Sequence, residues 1–260
     1  MSGFIRAIRA ESLKTRRSFF GWLIAGAAFF VPLIVLAARM KRSGDLPAIY
    51  ARADFWERLW TITWESIAIL ILPMLLLLMV SLFVQIEERG NAWKQVHATP
   101  QRFAAIYLAK LTVLLLLVSR FLVLAILAMS ATALIPPLLD ARVPFPVASW
   151  PASMILERVL RYFVDSLPLI TFQLLLALRF RTLMTPLGVG GAIWILSVGT
   201  LNTAYSHWIP YSYPALDYLF DANYRVRAQP PVAIPTLAFA ISLVFAAAGY
   251  ALYAARRDKG

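Results

Sequence analysis

Long apolar runs return along the chain, separated by short polar stretches. A helix needs about 20 apolar residues to cross about 30 Å of hydrocarbon. Six runs meet that length and are predicted to be transmembrane helices: 19–38, 63–85, 106–135, 156–178, 184–204 and 232–254. Within the second, residues 67–84 are almost free of polar groups. The runs are continuous and do not alternate in segments of about ten residues, so helices are predicted and not a closed barrel. Pro32, Pro73, Pro168 and Pro186 fall inside or at the start of runs. A spanning helix tolerates proline where neighbouring groups satisfy the freed carbonyls.

Composition agrees with a lipid solvent. Of 260 residues 61% are hydrophobic, and mean hydropathy is +0.72. A soluble domain is about 45–50% apolar. The predicted fold class is therefore an all-α integral membrane protein, a single six-helix transmembrane domain over residues 1–260. The first run is too long for the apolar core of a signal peptide, and no small-residue cleavage site follows it. The N-terminus is thus expected to stay uncleaved.

Net charge is +12, from 25 Lys+Arg against 13 Asp+Glu. Without a soluble domain or basic motif this does not indicate nucleic-acid binding. Basic residues at helix ends hold loops on the cytoplasmic side and meet anionic lipid. More of them fall on the side of the two termini, which places both termini in the cytoplasm. Before the first run, residues 1–18 read as an interfacial helix. Met1, Phe4, Ile5 and Ile8 share one face and Arg6, Arg9, Arg16 and Arg17 lie opposite. Leu13 and Glu11 depart from that pattern. A plain basic flank is the other reading. The segment 205–231 is rich in Tyr and Trp, which prefer the headgroup zone. A short helix or re-entrant piece is expected there.

Chemistry for catalysis is missing. There is no phosphate-cradling G-x-x-x-x-G-K-[ST] and no H-E-x-x-H. His97 and His207 fall on opposite sides of the predicted membrane, and no cysteine is present. No catalytic, cofactor or metal residues are assigned, and no enzyme activity is expected. Gly188-Val-Gly-Gly191 lies inside an apolar run and reads as a close helix contact. Arg120 falls midway along the third run, where a charge is costly and faces protein or water. Asp165 lies within the fourth. A buried Arg120–Asp165 ion pair is expected; the other reading has Arg120 lining a substrate cavity at a dimer interface. Glu157, Arg158 and Arg161 read as an interfacial charge cluster.

The most polar stretch outside the termini lies between the second and third runs, residues 86–104. It holds Glu87 and Glu88, a turn signal at Gly90-Asn91, an amphipathic piece with Trp93, Lys94 and Val96, a breaker at Thr99-Pro100, then Arg102 and Ala109-Lys110 leading into the next run. This loop resembles the first cytoplasmic loop of ABC-2 type transporter permeases, and residues 9–18 resemble their opening helix. The resemblance implies a permease driven by separate ABC ATPase subunits, which would bind ATP and Mg. It also implies a second permease subunit, like or unlike, and a bacterial inner-membrane location. Members with such an aromatic external loop resemble the lantibiotic-immunity and peptide-exporter subgroup, implying an amphiphilic or peptide-like cargo. The loop would be the coupling helix, with Trp93 and Val96 as anchors in an ATPase groove and Lys94 and Arg102 pairing with acids. A surface loop on lipid is the other reading of this stretch. A non-transporting membrane partner that passes ATPase motion to a periplasmic or lipoprotein client is the alternative function.

Overall fold

The architecture was obtained as a computed structural model that describes residues 3–16, 18–89, 103–180 and 182–255. Helix α1 covers Gly3–Arg16, α2 Phe20–Lys41, α3 Leu46–Tyr50, α4 Phe55–Ser66 and α5 Leu72–Arg89. They are followed by α6 Phe103–Leu139, α7 Ala152–Arg179, α8 Met184–Gly199, α9 Tyr213–Asp221 and α10 Ile234–Ala255. No strand occurs among the described residues. Five helical stretches are long and apolar enough to cross a membrane: Phe20–Lys41, Phe55–Glu88, Phe103–Leu139, Ala152–Arg179 and Ile234–Ala255. The chain is an all-α membrane protein.

Several predicted boundaries move. The second helix starts at Phe55 and not near residue 63, because Leu59, Trp60 and Trp64 bury one face of an amphipathic turn ahead of the apolar run. The third continues through Pro136 and Pro137 to Leu139. The fifth stops at Gly199, giving 16 residues, or about 24 Å at 1.5 Å per residue. It is a shorter apolar helix than the other five.

Prolines in these helices free carbonyls, and side chains from other elements occupy several of them. Pro136 and Pro137 remove the N–H groups that would reach Thr132 and Ala133. The Tyr50 hydroxyl donates to Ala133 O at 2.9 Å, and Arg39 Nη1 donates to Thr132 O at 3.4 Å. The loop carrying α3 is thereby pinned to the end of α6. Pro73 frees the carbonyl of Ile69, and the helix answers with a π turn over Ile67–Ile71. Trp194 Nε1 donates to that carbonyl at 3.2 Å.

Helix α5 packs against α7 and α8. Its apolar positions Leu72, Leu75, Leu76, Met79, Val80 and Phe83 are buried. Gln173 of α7 ties this centre together. Its Nε2 donates to Ser81 Oγ (2.8 Å) and Pro186 O (3.0 Å), and its Oε1 accepts from the Tyr211 hydroxyl at 2.8 Å. Of the glycines in the Gly188–Gly191 stretch, Gly190 alone makes the close approach. A Cβ there would overlap Gln173 Oε1 and Leu77, whereas Gly188 and Gly191 face open space.

Helices α2 and α10 show the most open faces. Trp22, Phe30, Leu33 and Ile34 on α2 are exposed, as are Phe239, Leu243 and Val244 on α10. In water such faces would be untenable; in a bilayer they meet acyl chains or another subunit. Between α8 and α10, two 3-10 turns at Ser206–Trp208 and Pro210–Ser212 precede α9. Tyr211 reaches inward to Gln173 and Phe172 (ring centroids 6.0 Å). Helix α9 then runs back towards the start of α7, where Asp221 meets Arg158 and Arg161.

Candidate functional site: the root of the 90–102 loop

The helices flanking residues 90–102 are joined by four buried or half-buried charges. Glu87 lies in the last turn of α5 and Lys110 in the second turn of α6. Lys110 Nζ donates to Glu87 Oε1 and, at 3.0 Å, to Glu11 Oε1 of α1. Lys14 Nζ donates to the same two carboxylates, at 3.0 Å for Glu11. The Lys110 side chain is 1% exposed and that of Glu11 4%. Two cations and two anions thus alternate around one point, which is how charge survives burial. Phe83 completes the surroundings, its ring centroid 5.8 Å from the Lys110 ammonium. One Glu11 oxygen, Oε2, keeps no partner among the described residues.

The consequence is mechanical. Both stems of the loop and the N-terminal helix are fastened at a single charged knot. Helix α1 presents Ala7 and Glu11 to the protein and leaves Phe4, Ile5 and Leu13 outward. Glu11, the misfit on the predicted apolar face, is therefore an inward ligand of Lys110. The C-terminal helix reaches the same end, with Tyr253 6.1 Å from Tyr107 and 6.2 Å from Phe103 by ring centroids.

Of the predicted loop residues, Glu87 sits in this knot and Glu88 is half-buried beside it. Trp93, Lys94, Val96, Pro100 and Arg102 lie outside the described residues. The loop pattern in the sequence includes Lys110 but does not join it to Glu11 and Lys14. The available signal was the displaced acid in α1 and a lysine inside the first turns of an apolar helix.

The predicted Arg120–Asp165 pair does not form. Arg120 is exposed, on an outward stripe of α6 with Leu116, Val123 and Leu127. Asp165 is fully buried, and neither carboxylate oxygen has a hydrogen-bond partner among the described residues. Its charged neighbours are Asp217 and Arg161. The two residues sit on helix faces that point to different neighbours, which hydropathy along each run does not encode.

Asp165 belongs to a second polar cluster, where α4, α7 and α9 meet. Trp60 and Trp64 stack at 4.1 Å, with Tyr162 5.4 Å from Trp64. Arg158 lies over Trp60 at 5.5 Å and pairs with Asp221 at 2.8 Å. Arg161 reaches Asp221 at 3.2 Å and Asp217 at 3.6 Å. Arg158 and Arg161 are thus turned inward and hold α9 in place. The Asp217 carboxyl is pushed up to about 6 by burial, with Arg161 working against the rise.

These features define a multi-pass helical membrane protein with a charged joint beneath one loop. The chain's sequence matches the model of the ABC-2 family transporter protein family over residues 7–197, and the chain belongs to that family. No curated protein and no solved structure matches it.

Proposed function

We propose that the chain is the permease subunit of an ATP-driven exporter, moving an amphiphilic or peptide-like cargo with energy from separate ATPase subunits. Membership of the ABC-2 family supports the association with ABC ATPases. The observation that carries the coupling reading is the Glu11–Lys14–Glu87–Lys110 knot. A partner pressing on residues 90–102 moves α5, α6 and α1 together, because all three are tied within one ion-pair network. Trp93 and Val96 anchor the loop in the partner, and Lys94 and Arg102 steer it. ATP and Mg bind on the ATPase. A second permease, like or unlike, covers part of the open apolar surface and lipid covers the rest. In this reading the chain lies in the bacterial inner membrane with both termini in the cytoplasm. ATP-driven closure of the ATPases tilts the first, second and fifth spans across the dimer seam.

Purification of the full chain from its host in mild detergent tests the reading. A P-loop ATPase should accompany it and be lost on Trp93→Ala or deletion of residues 91–99. A protein that purifies alone, with no ATPase activity, overturns the proposal. Cargo movement in reconstituted vesicles separates an exporter from a membrane partner that relays ATPase motion to an external client.

A further inference from the structure

A cleft of about 660 Å³ opens between α2, α3 and α4, at the end of the bundle away from the charged knot. That volume is within the range of small-molecule sites. Its floor is apolar, formed by Val35, Leu46, Ile49 and Phe55. Its rim carries five cations: Arg39, Lys41, Arg42, Arg52 and Arg58. The acids nearby are Asp54, already held by Arg52 and Arg58 at 2.8 Å each, and Asp45 on the linking turn. Arg52 and Arg58 keep the Asp54 carboxyl well below the usual carboxylate range. Lys41 and Arg42 are exposed and have no ion-pair partner among the described residues.

We propose that this cleft is a binding site for an anionic phospholipid, its acyl chain on the floor and its phosphate at Lys41 and Arg42. Three observations converge. The cleft lies at the last turn of a spanning helix, where headgroups sit. Its cation excess is concentrated around an apolar hollow and not spread along a solvated loop. Arg39 is committed to the wall: it faces the Phe55 ring at 5.2 Å and bonds Tyr50 and Thr132 O. Lys41 and Arg42 are left free to meet a ligand. An acyl chain alone would not need the cations, and a free phosphate would not need the floor. The inference stands apart from transport and from the ATPase partnership.

The test uses the full chain in detergent and native mass spectrometry with added lipid. Phosphatidylglycerol should be retained at least about tenfold more than phosphatidylcholine of the same chains, a preference that electrostatic contacts of this number supply. Lys41→Gln/Arg42→Gln, on exposed positions, should reduce it to the phosphatidylcholine level. Ile49→Trp should lower retention of both lipids by filling the floor. Equal retention of the two lipids by the unaltered chain overturns the proposal, as does a double variant that keeps the preference. Inorganic phosphate competing as well as phosphatidylglycerol would make the site a bare anion site. An acidic peptide without an acyl chain displacing the lipid at lower concentration would assign the cleft to a peptide. Either result also overturns it.

Discussion

Trp194 on α8 donates its indole N–H to the carbonyl of Ile69, the acceptor that Pro73 leaves without its helical donor. A tertiary contact therefore completes what a proline removes, and the π turn at Ile67–Ile71 is held by another helix. Trp194→Phe should lower stability by about 0.5–1.5 kcal/mol, the net worth of such a bond. In a Pro73→Ala background, where the backbone can donate again, the same change should have a smaller effect. Thermal unfolding of the four variants in one detergent measures the coupling.

Lys110 should be the least replaceable charge. Lys110→Met leaves Glu11 and Glu87 facing each other with Lys14 alone, and removing one side of a buried pair costs about 3–5 kcal/mol. Adding Glu11→Gln should recover much of the loss, since Glu87 and Lys14 then balance each other. A melting-temperature series distinguishes this from simple loss of packing, which the added change would not repair.

Arg120 should behave in the opposite way. It has no ion pair among the described residues and lies on an exposed stripe. Ten residues separate it from Lys110, about 15 Å along the helix axis, which puts it near mid-bilayer. Arg120→Leu should leave the melting temperature unchanged or raised. A marked fall would reveal a partner on that face.

Gly190→Ala drives a methyl group into Gln173 and Leu77. Overpacking of this kind costs about 1–3 kcal/mol, and the Gln173 bonds to Ser81 and Tyr211 would shift with it. Gly191→Ala, facing open space, is the control and should be silent. Comparing the two by thermal unfolding isolates the close approach from any effect of helix propensity.

Asp217 gives a pH dependence with a definite sign. Its carboxyl sits at about 6 in the folded chain against 3.8 for an ordinary one, because burial disfavours the charge. The folded state thus holds the proton more tightly. Its stabilising contribution is full below about pH 4 and is lost as pH rises through about 6. Asp217→Asn should flatten that segment of a stability-against-pH curve while leaving its arms in place. An unchanged slope between pH 4 and 6 would exclude Asp217 as its source.

Part of the candidate site is legible in the sequence. Glu87 and Lys110 bracket a polar loop between two apolar runs. Their union with Glu11 and Lys14 was not legible. It depends on α1 lying against α6, a contact across about a hundred residues of chain. The prolines within apolar runs read as tolerated, whereas Tyr50, Arg39 and Trp194 as partners of the freed carbonyls come only with packing.

Sequence by itself determined the solvent and the element type. Runs of about 20 apolar residues leave no choice but membrane helices, since each run must satisfy its own backbone bonds. It also determined the family, through the match over residues 7–197. Tertiary structure decided which faces meet. Rotation of a helix about its axis does not alter its hydropathy in lipid, so the outward turn of Arg120 and the inward turn of Asp165 could not be read along the chain. The facing pairs, the charged knot and the cation-rimmed cleft arise where several helices converge, and that convergence is set by side-chain shape and polar pairing between distant segments.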